Sequence, residues 1–298
     1  MCTAMFIGID HGTTAMRFAG GGRVFKIPRK EAVSFVLSDL DPFTEGEEIE
    51  GFAITYSMGD NFSEVTNIQN LKNRGVISRE GAGEHIGGGT RVFDEVLKSG
   101  IPAVAIPGLH RGINTDYRFK VYSHQASPEK IGLSYEFVKL LGPDCIISDI
   151  SSNTVTLLIK NGRITGAFDA CIFAPGWIHG ALDLDSIRAV DEGSITANEA
   201  FRKAGVKDNL PENERIPALA MFAAMECASM RLLAPDAPIG LCGSLALSVK
   251  DEITKLLRCN LLVLDEWAPA RGLSLIAEDV FQKKVGKILG IPVTLKFK

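Results

Sequence analysis

Phe6-Ile7-Gly8-Ile9-Asp10-His11-Gly12-Thr13-Thr14 is the stretch whose reading decides the fold. Residues 6–9 read as a buried strand, and they run into a turn that holds an acid flanked by two glycines and followed by two hydroxyls. Such a turn can hold phosphate. Gly12 lets the backbone approach a bulky anion, Thr13 and Thr14 can donate to its oxygens, and Asp10 can hold a water on a Mg²⁺ ion. A partial echo lies far down the chain in Asp149-Ile150-Ser151-Ser152-Asn153-Thr154, again at the end of an apolar run, Cys145-Ile146-Ile147.

The echo extends beyond the turns. Thr14 leads through Ala15-Met16-Arg17-Phe18-Ala19 and a Gly-Gly pair to Arg23, and Thr154 leads through Val155-Thr156-Leu157-Leu158-Ile159 and Asn161-Gly162 to Arg163 at the same spacing. A Gly-Gly or Asn-Gly turn between short apolar runs marks a hairpin. Each copy therefore reads as strand, polar turn, strand, hairpin, strand. We read a duplicated unit with two phosphate-holding turns that face each other across a cleft.

These residues resemble a known superfamily. Ile7-Gly8-Ile9-Asp10-His11-Gly12-Thr13-Thr14 and the second Asp-hydroxyl turn are similar to the two phosphate motifs of the acetate kinase, sugar kinase, Hsp70 and actin superfamily. Pro238-Ile239-Gly240-Leu241-Cys242-Gly243-Ser244-Leu245-Ala246 is similar to its adenosine motif. The three motifs occur in the superfamily's order and span the chain. Within the superfamily the whole chain, Ile106-Pro107-Gly108-Leu109-His110-Arg111-Gly112 included, resembles the archaeal family called methanogenesis marker protein 12.

The resemblance implies an α/β fold of two ribonuclease H-like, actin-like ATPase domains related by duplication, with a nucleotide cleft between them. It implies ATP and Mg²⁺ as ligands. Asp10 and Asp149 then stand as metal-holding and catalytic positions. Gly12, Thr13, Thr14, Ser151, Ser152 and Thr154 become phosphate contacts, and Gly240, Gly243 and Ser244 adenosine contacts. One departure is informative. Ser151 stands where the second phosphate turn of the superfamily commonly has glycine, which keeps a hydroxyl donor but narrows the backbone angles open to the loop.

Composition agrees with a soluble globular protein: 298 residues, 46% hydrophobic and 23% charged. That length holds one large core or two ordinary domains, and the duplication favours two. The formal net charge is −4 with no long basic run, which argues against a nucleic-acid partner. The six cysteines form no C-x-x-C pair, which fits a reducing cytoplasm and speaks against an iron–sulfur cluster. The short apolar start reaches Asp10 too soon to read as a signal peptide. Residues 216–233 are apolar but interrupted by Pro217, Glu226 and Arg231, so they read as a buried helix of the second domain and no membrane is expected.

Along the chain, residues 29–40 have helical spacing, and Asp41-Pro42 should stop that helix. The acidic stretch 45–50 reads as a solvated turn, and residues 52–56 as a strand. Glycine density peaks at 81–90, before a helical stretch at 91–97, where N–H groups could receive an anion. A strand at 101–106 empties into His110 and Arg111, and ligands of open α/β sheets bind beyond such strand ends. Arg111 is a candidate catalytic clamp for a carboxylate or a transferred phosphoryl group, and His110 a weaker candidate acid, base or donor. The piece His124-Gln125-Ala126-Ser127-Pro128-Glu129 is similar to a stretch of acetate kinases and receives no role.

A helix over 128–141 should end at Gly142-Pro143, which places the domain boundary between residues 1–143 and 144–298. After the third strand of the second unit, His179 and Asp183 read more as helix-capping or buttressing residues than as site residues. Ser244 reads as the cap of a helix over 245–257. Residues 261–264, 273–289 and 293–297 are expected to complete the second sheet and its cover.

The function expected is ATP binding, with ATP-dependent transfer of phosphate to a small acid or related metabolite. The alternative is an ATP-gated clamp or ATPase of the actin and Hsp70 kind, working on a protein partner. Oligomeric state is left open, a homo-oligomer included.

Overall fold

The computed structural model describes residues 4–56, 61–75 and 87–296. Most of the glycine-rich stretch, Gly81 to Ile86 with His85, lies outside the described residues. The chain divides into two units, one of Met1–Lys139 with Trp267–Lys298 and one of Leu140–Glu266.

In chain order the strands begin with β1 (Met5–His11), β2 (Ala15–Gly20), β3 (Arg23–Pro28), β4 (Ile49–Thr55), β5 (Val65–Asn67), β6 (Ala103–Ile106), β7 (Leu109–His110) and β8 (His124–Ala126). They continue with β9 (Cys145–Ile150), β10 (Thr154–Lys160), β11 (Arg163–Phe168), β12 (Ile239–Cys242), β13 (Leu261–Val263), β14 (Lys287–Ile288) and β15 (Ile291–Thr294). The longer helices are α1 (Gly88–Ser99), α2 (Glu129–Leu141), α3 (Glu212–Arg231), α4 (Ala246–Leu257) and α5 (Ala268–Phe281).

Both units carry the same five-stranded arrangement. In the first, β1, β2 and β3 form an antiparallel meander, and β4 and then β6 add in parallel on the other side of β1. In the second, β9, β10 and β11 form the meander, and β12 and then β13 add in parallel beside β9. This repeated order is ribonuclease H-like, and it makes the duplication read in the sequence a property of the fold. The first sheet is wider, with order β14-β15-β5-β6-β4-β1-β2-β3, while β7 and β8 pair with each other.

Local chemistry explains these elements. Every residue of β1 is buried, as a central strand covered on both faces requires. Edge strand β3 alternates half-buried and exposed positions. The hairpins turn at Gly21-Gly22 and Asn161-Gly162, all four with positive φ, the backbone that a two-residue turn between twisted strands demands. Ile7, Ile9, Met16, Phe18, Phe35, Phe52 and Phe93 share one core cluster in the first unit. Each such buried side chain contributes about 1.5–3 kcal/mol of transfer free energy.

In the second unit α3 packs on β9, β10 and α4, as a buried helix of that unit. Among the described residues no helix is long and apolar enough to cross a membrane.

Three expectations are corrected. Residues 267–298 do not complete the second sheet. Helix α5 packs on β1 and β4, and β15 pairs with β5, so the chain returns to its first unit. The return depends on Gly8, where an added Cβ would lie 2.1 Å from the Ala270 carbonyl and 2.3 Å from the Ser274 nitrogen. The Ser274 hydroxyl also donates to the Phe6 carbonyl at 2.8 Å. Residues 29–40 form two 3₁₀ turns, Ala32–Ser34 and Leu37–Leu40, instead of a helix, and Asp41-Pro42 opens the short helix Asp41–Thr44 instead of stopping one. Proline is tolerated in a first helical turn because its missing N–H would have no partner there. Ser244 does not cap α4: the N-cap is Leu245, without a side-chain hydrogen bond.

Candidate functional site

The first turn is built from the β1–β2 hairpin. Asp10 and Arg17 lie opposite each other in register, and Arg17 Nη1 donates to Asp10 Oδ2 at 3.3 Å. The guanidinium is also packed over Gly12, where a Cβ would come within 2.4 Å of Arg17 Nη1. Gly12 thus admits both the tight turn and the arginine beside it. The His11 N–H donates to Thr55 Oγ1 at 2.9 Å and the Thr55 hydroxyl donates to the Ile9 carbonyl at 3.3 Å, which ties the turn to β4. Thr13 and Thr14 are exposed, and neither hydroxyl has a hydrogen-bond partner among the described residues.

Asp10 itself is buried, and its Oδ1 has no hydrogen-bond partner among the described residues. Burial, reinforced by the nearby Glu129 carboxylate, pushes its pKa up to about 7 against the opposing pull of Arg17 and Lys130. Glu129 stands at the start of α2, paired with Lys130 at 3.1 Å and accepting the Ser127 hydroxyl. Burial alone would raise Glu129, but Lys130 and the Ser127 hydroxyl together hold it below the usual carboxylate range. The His11 imidazole, buried and near Arg29, falls to about 4 and is neutral at physiological pH.

A buried carboxylate oxygen without a partner is costly unless a proton or a cation sits on it. Asp10 therefore fits a divalent cation. Among the described residues no three His, Cys, Asp or Glu side chains gather into a metal centre. An ion at Asp10 would keep water and phosphate oxygens as its other ligands, the usual habit of Mg²⁺.

The second turn follows β9. Asp149 is buried, and the Ser151 hydroxyl donates to its Oδ1 at 3.2 Å. The backbone of 151–153 is strapped down by a later loop: Trp177 N–H donates to the Ser151 carbonyl at 2.9 Å, and Ile178 and His179 N–H groups donate to the Ser152 carbonyl at 3.0 Å. His179 Nδ1 lies 2.5 Å from Asn153 Oδ1, and its ring stacks on Phe201 at 4.7 Å. The Ser152 hydroxyl has no partner among the described residues. Asp183 caps the helix Leu184–Asp191 by accepting the Ser186 N–H at 2.9 Å, the buttressing role read from the sequence.

Other sequence candidates fall in different places. Thr154 is fully buried and its hydroxyl donates to the Pro175 carbonyl at 2.8 Å, so it anchors the strap and has no donor left for phosphate. Gly240 lies inside the sheet, paired with Ile147 and Leu262, and is not exposed to any ligand. Gly243 is pressed against the second turn with φ +98°, and Ser244 beside it is exposed. His110 is satisfied within its unit: Gly112 N–H donates to Nδ1 at 3.1 Å, which leaves Nε2–H to donate to the Phe62 carbonyl at 3.0 Å. Arg111 is exposed in the loop beyond β6, with one long 3.4 Å bond from Nη2 to the Val121 carbonyl.

Sequence reasoning missed Arg17, Glu129 and Lys130. The signal for Arg17 was its cross-strand position opposite Asp10, visible once the hairpin register is drawn. Glu129 closes the 124–129 stretch that was given no role, Lys130 follows it, and both reach the turn only through tertiary packing of α2.

No protein-family model matches the chain. The UPF0285 protein of Methanosarcina mazei is 46% identical to it, with 97% of this chain and 98% of that protein aligned. Among solved structures, Porphyromonas gingivalis acetate kinase covers 94% of this chain and 100% of its own, with a TM-score of 0.54 and 11% identity. A ROK family glucokinase from Streptomyces griseus, solved in complex with glucose and AMPPNP, covers 92% and 99% with a TM-score of 0.50 and 12% identity. At such identities the structural likeness is one of fold. The sequence likeness, running end to end at nearly half identity, is one of kinship, and the chain belongs to the UPF0285 family.

Proposed function

We propose that the protein binds Mg²⁺–ATP and transfers its terminal phosphoryl group to a small molecule. The observation that carries this reading is the orphaned, buried Asp10 Oδ1 at the end of β1, beside Gly12 and the unengaged hydroxyls of Thr13 and Thr14. The second unit repeats the arrangement with Asp149 and Ser152 at the end of β9. Phosphoryl transfer asks a protein for positioning and charge neutralisation more than for covalent chemistry. Mg²⁺ held at Asp10 would supply neutralisation of the phosphate oxygens. In the first unit Arg17, Thr13 and Thr14 are assigned to phosphate oxygens; in the second, Ser152 is assigned to phosphate and Gly243 and Ser244 to adenosine. Arg111 has little else to bind and is assigned to the acceptor, a small acid or related metabolite.

The fold shared with acetate kinase and with a glucokinase crystallised with AMPPNP supports a nucleotide as the ligand. The motif resemblance to methanogenesis marker protein 12 is the finer family assignment that we infer. Calorimetric titration of the protein with ATP, with and without Mg²⁺, tests the reading. Magnesium-dependent binding that Asp10→Ala and Asp149→Ala abolish is expected. Equal affinity in both variants would refute it.

One observation favours a second reading. Ser151 spends its hydroxyl on Asp149, and the turn is strapped by residues 177–179. A turn so restrained suits slow hydrolysis, as in an ATP-gated clamp whose conformation a protein partner reads. Stimulation by one small molecule identifies a kinase, and stimulation by a protein identifies a clamp.

A further inference from the structure

We propose that His179 is the proton acceptor for the group that attacks the phosphoryl donor, and that this group is a hydroxyl, not a carboxylate. The inference rests on the phosphotransferase reading above and names the chemical class of its acceptor. Its basis is the way His179 is held. The residue's N–H is fixed on the Ser152 carbonyl and its ring lies against Phe201, nearly parallel at 14°. With Nδ1 bonded to the Asn153 side-chain carbonyl, the ring proton resides on Nδ1 and Nε2 carries the lone pair. Among the described residues Nε2 has no partner, although the ring is only half-buried and next to the second phosphate turn.

A base held in one tautomer by an amide orienter, beside the turn that carries Ser152, is the arrangement that activates a nucleophile. Burial and the nearby Arg202 guanidinium lower the pKa of the ring, with Asp169 and the Ser152 backbone opposing, so it is neutral and able to take a proton at pH 7. The acceptor class follows from that proton. A carboxylate arrives without one and needs no base, whereas a hydroxyl must lose its proton as it attacks. The acceptor oxygen forms the new bond to the terminal phosphorus, and the bond from that phosphorus to the bridging oxygen breaks with its electron pair on ADP. The hydroxyl proton moves to Nε2 of His179, leaving an imidazolium that solvent later deprotonates. A small hydroxy acid supplies such a hydroxyl and keeps the acid character proposed for the acceptor.

Two measurements test this. In long-range ¹⁵N spectra of histidine-labelled protein, His179 is expected as the neutral Nδ1–H tautomer at pH 7, and Asn153→Ala should release it. The Nε2–H tautomer in wild type would overturn the inference whatever the activity. The second measurement uses Mg²⁺–ATP with water, glycolate and acetate as acceptors. His179→Gln is expected to keep the ATP affinity seen by calorimetry and to lose roughly 10²–10⁴-fold in transfer to water or glycolate. Wild-type rates in His179→Gln, or transfer to acetate in preference to glycolate, would overturn the inference alone. Wild-type protein that binds no ATP would remove the phosphotransferase reading, and the inference with it.

Discussion

Gly243 is pressed against Asp149: a Cβ built on Gly243 would lie 2.6 Å from Asp149 Oδ1 and 2.4 Å from the Ile150 carbonyl. The strand-to-helix turn that follows β12 and the acidic turn that follows β9 are therefore one packed unit, further joined by the Leu245 N–H on the Ile150 carbonyl at 3.0 Å. Gly243→Ala meets both the contact and an unfavourable φ of +98°. It should cost about 2–4 kcal/mol and lower the unfolding midpoint by roughly 5–10 °C, the range for strained or overpacked sites. Any variant molecules that fold should bind ATP more weakly. Thermal unfolding at wild-type temperature would show that the turn yields without cost.

Asp10 makes the empty protein less stable as pH rises. The unfolded chain releases this proton near the ordinary value of 3.8 and the folded chain near 7. Between those values the native state binds more protons, so unfolding free energy falls with rising pH. At about 1.4 kcal/mol per pKa unit the ceiling is ~4 kcal/mol. Asp10→Asn should flatten that slope, raise stability at pH 8 by about 1–3 kcal/mol without Mg²⁺, and abolish magnesium-dependent nucleotide binding. Denaturant titrations at pH 5 and pH 8, with and without Mg²⁺, measure all three effects. A variant that is less stable than wild type at pH 8 would show that the Arg17 ion pair outweighs desolvation.

Glu226 should behave likewise, in the second unit. It is fully buried on α3, and its Oε1 accepts the Ala174 N–H at 3.1 Å. Burial pushes its pKa up to about 8, Asp169 adds to the rise, and the Thr156 hydroxyl and Ala174 N–H oppose it. Its stabilising protonated form is lost as pH climbs from about 4.5 to about 8. Glu226→Gln retains a carbonyl for Ala174 and should be more stable than wild type at pH 9 by about 1–3 kcal/mol, with no gain at pH 4. Glu226→Ala instead leaves a buried N–H unpaired and a void, and should cost about 2–4 kcal/mol at pH 4, a cost that shrinks as pH rises and wild type loses its protonated carboxyl.

What was legible in the sequence is what local chemistry determines. The Gly21-Gly22 and Asn161-Gly162 turns require positive φ, and those residues declare it, so both hairpins and hence the duplication could be read directly. The acids at Asp10 and Asp149 were visible as polar endings of apolar strands. Thr154 was misassigned because a threonine after such a turn looks the same whether its hydroxyl meets phosphate or, as here, the Pro175 carbonyl. Residues 29–40 have helical spacing, yet Val33 and Val36 point to solvent, and β-branched residues add little to an isolated helix. Glu226 was noticed only as an interruption of an apolar helix, although an acid within such a run is itself a signal of a paired or protonated group. The return of residues 267–298 to the first unit has no local signature, because what permits it is a glycine on β1 that meets a helix more than two hundred residues later.

That return gives the last prediction. Helix α5 crosses α2 at Gly272 and Gly132, both in the first unit, where a Cβ on Gly272 would sit 1.8 Å from the Gly132 carbonyl. Two glycines at a crossing let helix backbones approach closer than side chains permit, at a cost in helix propensity of about 1 kcal/mol each. Around this contact Arg271 Nε donates to Glu136 Oε1 at 2.7 Å, and Lys139 and Lys283 both bind the Asp279 carboxylate. In an isolated helix Gly272→Ala would be stabilising; here it must push α5 off both α2 and β1. We expect a net loss of about 2–4 kcal/mol, the range for overpacked interiors, outweighing the propensity gain. The same reasoning applies to Gly132→Ala, whose Cβ would meet the Pro269 carbonyl at 2.7 Å. A chain ended at Glu266 should fail more completely, since β1 then loses the helix that covers it. Circular dichroism melts of the two alanine variants and proteolysis of the shortened chain provide the check. A truncated protein with an intact, protease-resistant first unit would mean that α5 is an accessory to that core, not part of it.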